Sequence, residues 1–82
     1  MVKEVIRSSR FIQQAKKVNR SLLNRIKKLI TKIINNPEIG KPMRFDRKRK
    51  KEVYVSPFRL SYSHDKNTDI LYLLDIYHKD EQ

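Results

Sequence analysis

The stretch at residues 47–62, RKRKKEVYVSPFRLSY, gathers the side chains best suited to a charged substrate. Five consecutive cations run into an alternating pattern, and Arg59 stands between Phe58 and Leu60 just after Ser56-Pro57. Other means of doing chemistry are few. The chain has no cysteine, which excludes disulfides and thiolate catalysis. His64 and His78 are its only histidines, and neither belongs to a cluster with metal-ligand spacing, so no metal and no other cofactor is expected. It contains no glycine-rich phosphate loop and no Gly-x-Ser-x-Gly elbow.

Charge is the dominant signal. Lysine and arginine number 20 against 9 acidic residues, a formal net charge of +11 on 82 residues. Such a balance causes self-repulsion in the folded state and favours polyanionic partners: nucleic acid, the ribosome, an acidic protein or an anionic membrane. A chain of this length fills one core, so a single domain over residues 1–82 is expected. The opening Met1-Val2-Lys3-Glu4 resembles no signal peptide, and the apolar run at 70–74 is too short to span a bilayer. A cytoplasmic protein without a membrane partner is the expectation.

These side chains need elements to hold them. Val2, Val5 and Ile6 read as a first strand. Ser8 or Ser9 is placed to cap a helix carrying Phe11, Ile12, Ala15 and Val18 at helical spacing. Asn19 or Ser21 restarts the count. Leu22, Leu23, Ile26, Leu29, Ile30, Ile33 and Ile34 then recur at spacings of three and four, the strongest periodicity in the chain. Asn35-Asn36-Pro37 ends it, because proline disfavours helical geometry in the preceding residue. Strands are predicted at 43–46, 52–56, 58–63 and 70–77, with a polar loop at 64–69. The last strand is the most apolar and therefore central. The fold class is α+β, ordered β-α-α-β-β-β, with two helices on one face of a mainly antiparallel sheet.

Strand parity states which side chains share the other face. With Phe58, Leu60 and Tyr62 under the helices, Arg59, Ser61 and Ser63 point away from them. Glu52 and Tyr54 oppose the buried Val53 and Val55. On the last strand the polar Asp75 places Leu71, Leu73, Asp75, Tyr77 and Lys79 on the open face, and Ile70, Tyr72, Leu74 and Ile76 beneath the helices. Arg59, Glu52, Tyr54, Tyr77 and Lys79 thus converge beside the basic run. A cationic, aromatic-bearing sheet face suits single-stranded RNA.

The order of elements, with NPEIGKPMRF after the second helix, KEVYVSPFRLSY on the sheet and ILYLLDIYHKDEQ at the end, resembles the RelE/ParE toxins of type II toxin–antitoxin systems. Many RelE members cut messenger RNA in the ribosomal decoding site without metal, and ParE members poison DNA gyrase on a similar fold. The resemblance implies a toxin held by a cognate antitoxin, acting as a ribosome-dependent endoribonuclease on messenger RNA. A ParE-like gyrase inhibitor and a non-cleaving relative that binds RNA or antitoxin are the alternatives.

For the nuclease, the resemblance implies attack of a ribose 2′-hydroxyl on the adjacent phosphate. That needs a base, a cation for the phosphorane and an acid for the leaving 5′-oxygen. Arg59 matches the family's arginine, and its guanidinium fork suits two phosphate oxygens. Lys79 matches a second basic position. Where well-known members carry strand lysines this chain reads Glu52-Val53-Tyr54, so Glu52 as base and His78 as acid are the substitutes. Arg44, Arg47, Lys48, Arg49, Lys50 and Lys51, with the rings of Tyr54 and Tyr77, are the expected RNA contacts.

Overall fold

Two short polar side chains start the helices. In the computed structural model, which describes residues 2–42 and 50–78, the Ser8 hydroxyl accepts from the Phe11 N–H at 3.0 Å and opens α1 (Ser9–Ala15). Asn19 Oδ1 accepts from the Leu22 N–H at 2.8 Å and opens α2 (Arg20–Asn35). Each satisfies an amide that a first helical turn leaves without an internal partner. Of the predicted stripe on α2, Leu22, Ile26 and Ile33 are buried and Ile30 is half-buried. A short 3-10 turn (Pro37–Ile39) follows, at the proline expected to stop the helix.

The sheet has five strands: β1 (Glu4–Arg7), β2 (Lys41–Pro42), β3 (Lys51–Val55), β4 (Phe58–Asp65) and β5 (Ile70–His78). Their spatial order is β1-β5-β4-β3-β2, with β1 parallel to β5 and the remaining pairs antiparallel. This is the expected α+β order, with a two-residue β2 added before β3. The strand predicted at 43–46 lies outside the described residues. The apolar β5 is internal, between β1 and β4. Phe11 of α1 and Leu22, Ile26 and Ile33 of α2 share one core with Val55, Leu60, Tyr62, Leu71, Leu73 and Ile76. Among the described residues no helix is long and apolar enough to cross a membrane.

Parity fails in the middle of β5. Leu60 pairs with Ile76 and Ser61 with Asp75, but Tyr62 pairs with Leu73, so Leu74 has no partner on β4. One extra residue inverts the alternation on either side of it. Leu71 and Leu73, expected on the open face, are in the core, while Tyr72 and Leu74 are only half-buried. Asp75 and Tyr77, beyond the bulge, keep the predicted face.

Tyr62 locks the helical layer to the sheet. Its ring is fully buried, its hydroxyl donates to the Pro37 carbonyl at 2.7 Å, and it accepts from the Gly40 N–H at 2.8 Å. Burial disfavours the phenolate and raises the Tyr62 pKa, against the smaller opposing effect of the Gly40 bond. Gly40 is required by proximity, since a Cβ there would lie 2.8 Å from a ring carbon of Tyr62.

The turn between β4 and β5 closes locally. Asp65 Oδ1 accepts from the Asn67 N–H at 2.9 Å, and Asp69 takes a φ of 58°. That left-handed conformation is one aspartate tolerates better than most residues. His64, predicted in this loop, lies on β4 with its Nε2 2.8 Å from Asp69 Oδ1.

Candidate active site

Three adjacent strands bring Arg59, Glu52 and Tyr77 together. Cross-strand pairing puts Tyr54, Arg59 and Tyr77 in one row over β3, β4 and β5, and Glu52, Ser61 and Asp75 in the next row on the same face. Paired residues share a face of the sheet, and the core occupies the other. Arg59 therefore emerges opposite Leu60, as its parity predicted.

The geometry centres on Glu52. Its Oε1 accepts from Arg59 Nη1 at 3.2 Å and its Oε2 from the Tyr77 hydroxyl at 2.7 Å. Both oxygens are thus oriented, one by a cation and one by a phenol. The Tyr77–Glu52 bond spans from β5 to β3 above β4, and the small Ser61 between them leaves room for it. Ser61 is buried although polar. Sequence reasoning placed Ser61 on this face but gave it no part. Its signal was a small residue in the middle strand at the same parity as the arginine.

The site is only partly covered. The Arg59 and Glu52 side chains retain about a third and a quarter of their exposure, and Tyr54 is exposed, its hydroxyl 3.3 Å from Ser56 Oγ. A groove of about 600 Å³ runs past Lys41, Glu52, Tyr54 and Arg59, with Leu29 and Ile39 on its helical side. It opens beside the start of β2, where Lys41 pairs with Glu52 and no β2 residue pairs with Tyr54. The groove thus offers a carboxylate, a guanidinium, an ammonium and an aromatic ring to one solute.

Other expected site residues lie elsewhere. Lys51 pairs with the buried Tyr62, so it leaves β3 on the helix side, where its Nζ sits 2.6 Å from Glu38 Oε2. Hydrogen bonding to Lys51, then the charge of Lys51 and Lys66, lowers the Glu38 pKa. Lys50 and Lys51 line a separate cavity of about 410 Å³ with Glu38, His64 and Lys66. His78 pairs with Phe58, one position from Tyr77 and on the opposite face, with its ring edge-on to Phe58 at 5.4 Å between centroids. The register therefore brings Tyr77, not His78, to Glu52. Arg44, Arg47, Lys48, Arg49 and Lys79 lie outside the described residues. No three histidine, cysteine or acidic side chains gather as a metal site among the described residues.

Residues 2–82 match the family model of the ParE toxin of type II toxin–antitoxin systems. The chain belongs to this family, within the wider RelE/ParE toxins, and is a toxin of a type II toxin–antitoxin system. Solved structures agree in fold. The chain is similar to the RelBE2 toxin–antitoxin complex of Mycobacterium tuberculosis, with a TM-score of 0.83 at 17% identity over 96% of this chain and 100% of that one. It is also similar to the intact Escherichia coli RelBE complex, with a TM-score of 0.80 at 15% identity over 90% and 93% of the two chains. A metal-bound toxin of Helicobacter pylori gives 0.72 at 17% identity over 99% and 98%. No curated protein matches in sequence.

Proposed function

We propose that this toxin is a ribosome-dependent endoribonuclease that cuts messenger RNA at the open face of the sheet. The observation that supports this reading above all others is the Arg59–Glu52–Tyr77 cluster, a base that accepts hydrogen bonds from both a cation and a proton donor. Glu52 takes the proton from a ribose 2′-hydroxyl, and the 2′-oxygen attacks the adjacent phosphorus. The P–O5′ bond breaks, leaving a 2′,3′-cyclic phosphate on one fragment and a 5′-hydroxyl on the other. Arg59 stabilises the charge on the phosphorane. A guanidinium has five N–H donors, so an ion pair with one carboxylate still leaves a fork for phosphate oxygens. Tyr77 delivers the proton to the departing 5′-oxygen in place of His78, whose ring lies across the sheet. Lys79 remains a candidate second cation.

The RNA contacts are Lys41, Tyr54 and the basic run at 47–49, with a cognate antitoxin covering the surface in the resting complex. Lys51, on the helix side, and Lys50, which lines the same cavity, suit ribosomal RNA. The decoding site of the ribosome, and hence the cytoplasm, is where this chemistry has its substrate.

The test is single-turnover cleavage on programmed ribosomes, read by primer extension. Arg59→Ala should fold like the parent, since its side chain leaves the core untouched, and lose cleavage by roughly 10²–10³-fold, the usual effect of deleting one preorganised transition-state donor. Full cleavage by a folded Arg59→Ala protein would sink the assignment. The match to the ParE model favours a second reading, gyrase inhibition. A parent that cuts no message but blocks DNA supercoiling would establish it instead.

A further inference from the structure

Past the end of β1 the edge of β5 is lined by α1. β1 pairs only with residues 70–73 of β5, and the chain then turns through Ser8, whose N–H and hydroxyl bond the Leu73 and Leu74 carbonyls at 3.0 and 2.6 Å. This brings Arg10 round the edge onto Asp75, with Nε 2.9 Å from Oδ2. Asp75 stands in the same row as Glu52, with Ser61 between them. Its second oxygen, Oδ1, is buried and accepts no hydrogen bond among the described residues.

A carboxylate at this place would repel an approaching phosphate unless a cation masked it. Arg10 does more than mask it. The ion pair uses Nε, at the side of the guanidinium, so the two terminal Nη groups keep their end-on fork, the geometry that matches phosphate. The Arg10 side chain is 65% exposed. Asp75 lies one strand across and two residues along from Arg59, roughly 8 Å between backbones at ordinary strand spacings.

We infer that Arg10, anchored by Asp75, is a second phosphate-binding point for single-stranded RNA, so that the strand crosses the sheet from the β3 groove toward α1. This rests on the open face being the RNA surface. Arg59 engages the scissile phosphate and Arg10 another phosphate of the same strand. A contact to phosphate carries no base information, so the contribution of Arg10 is expected to be independent of sequence.

The test uses the whole protein and short fluorescein-labelled single-stranded RNAs of two unrelated sequences, with anisotropy followed over a salt series. Arg10→Gln should lower the slope of log affinity against log salt by about 0.7 for both RNAs, the value for one lost single-strand phosphate contact. Arg10→Lys should restore the slope. Lys27→Gln, which removes the same charge from the helical layer, should leave it unchanged. An unaltered slope in Arg10→Gln, an equal drop in Lys27→Gln, or a parent that binds neither RNA would overturn the contact. Should Arg10→Gln unfold, single methylphosphonates in the RNA test the parent alone. Two separate sensitive phosphates are expected, and one only would refute the second point. A specific Arg10 effect without cleavage on ribosomes would keep this contact and discard the nuclease. Cleavage with no Arg10 effect would do the reverse.

Discussion

Tyr62→Phe removes one oxygen and keeps the ring, which makes it a clean probe of the lock between helices and sheet. The hydroxyl makes two bonds, to the Pro37 carbonyl at 2.7 Å and from the Gly40 N–H at 2.8 Å. Gly40 is buried, so its amide would lose its acceptor without gaining water. A buried donor left unsatisfied costs about 1–3 kcal/mol, and the lost bond to Pro37 adds about 0.5–1.5 kcal/mol. The sum, about 1.5–4.5 kcal/mol, is a large share of the stability of a small domain. For 60–100 residues each kcal/mol moves Tm by about 4–8 °C, so a fall of at least about 6 °C is expected. Urea melts should show a lower midpoint at unchanged slope. The parent should also show an alkaline limb. A folded-state pKa above the ordinary phenol value means stability that is intact below about pH 10 and is lost as pH rises through the folded value. Tyr62→Phe should lack that limb. A variant melting within about 0.5 kcal/mol of the parent at neutral pH would show that these bonds contribute nothing net.

Ile26→Ala should cost about 2–5 kcal/mol by urea melt, because Ile26 is fully enclosed, and Ile30→Ala distinctly less, because Ile30 is half-buried. Gly40→Ala should destabilise by forcing Tyr62 from its seat, and combining it with Tyr62→Phe should be far from additive in a double-mutant cycle. Glu38→Gln should flatten the acid limb of the pH–stability curve. The lowered pKa of Glu38 gives stability present above its ordinary carboxylate value and lost as pH falls through the folded one. That effect should shrink as salt is raised, since the pair with Lys51 is at the surface.

Local signals carried far in this chain. The caps at Ser8 and Asn19, the end of α2 before Pro37 and the order of strands follow from residues interacting with near neighbours, and each needs only a few positions to be read. The face of Arg59 was legible for the same reason, since alternation along β4 is unbroken from Phe58 to Tyr62. The site beside it was half legible. Glu52, Tyr54 and Tyr77 share its face as predicted, but no sequence pattern says that Glu52 sits between a guanidinium and a phenol from two other strands. Register between strands decides that, and register is a non-local quantity.

The bulge at Leu74 shows the limit most plainly. A single unpaired residue turned Leu71 and Leu73 into the core, and no glycine or proline marks it in the sequence around Leu74. The same holds for His78 and Lys51, which lie next to site residues in the chain and on the far side of the sheet in space. Arg10 is the converse, 65 residues from Asp75 in sequence and in contact with it through Nε. Sequence alone determined which side chains were available and how each strand alternates. The tertiary structure decided which of them meet, because a strand fixes the side a residue faces while only its partners fix what it faces there.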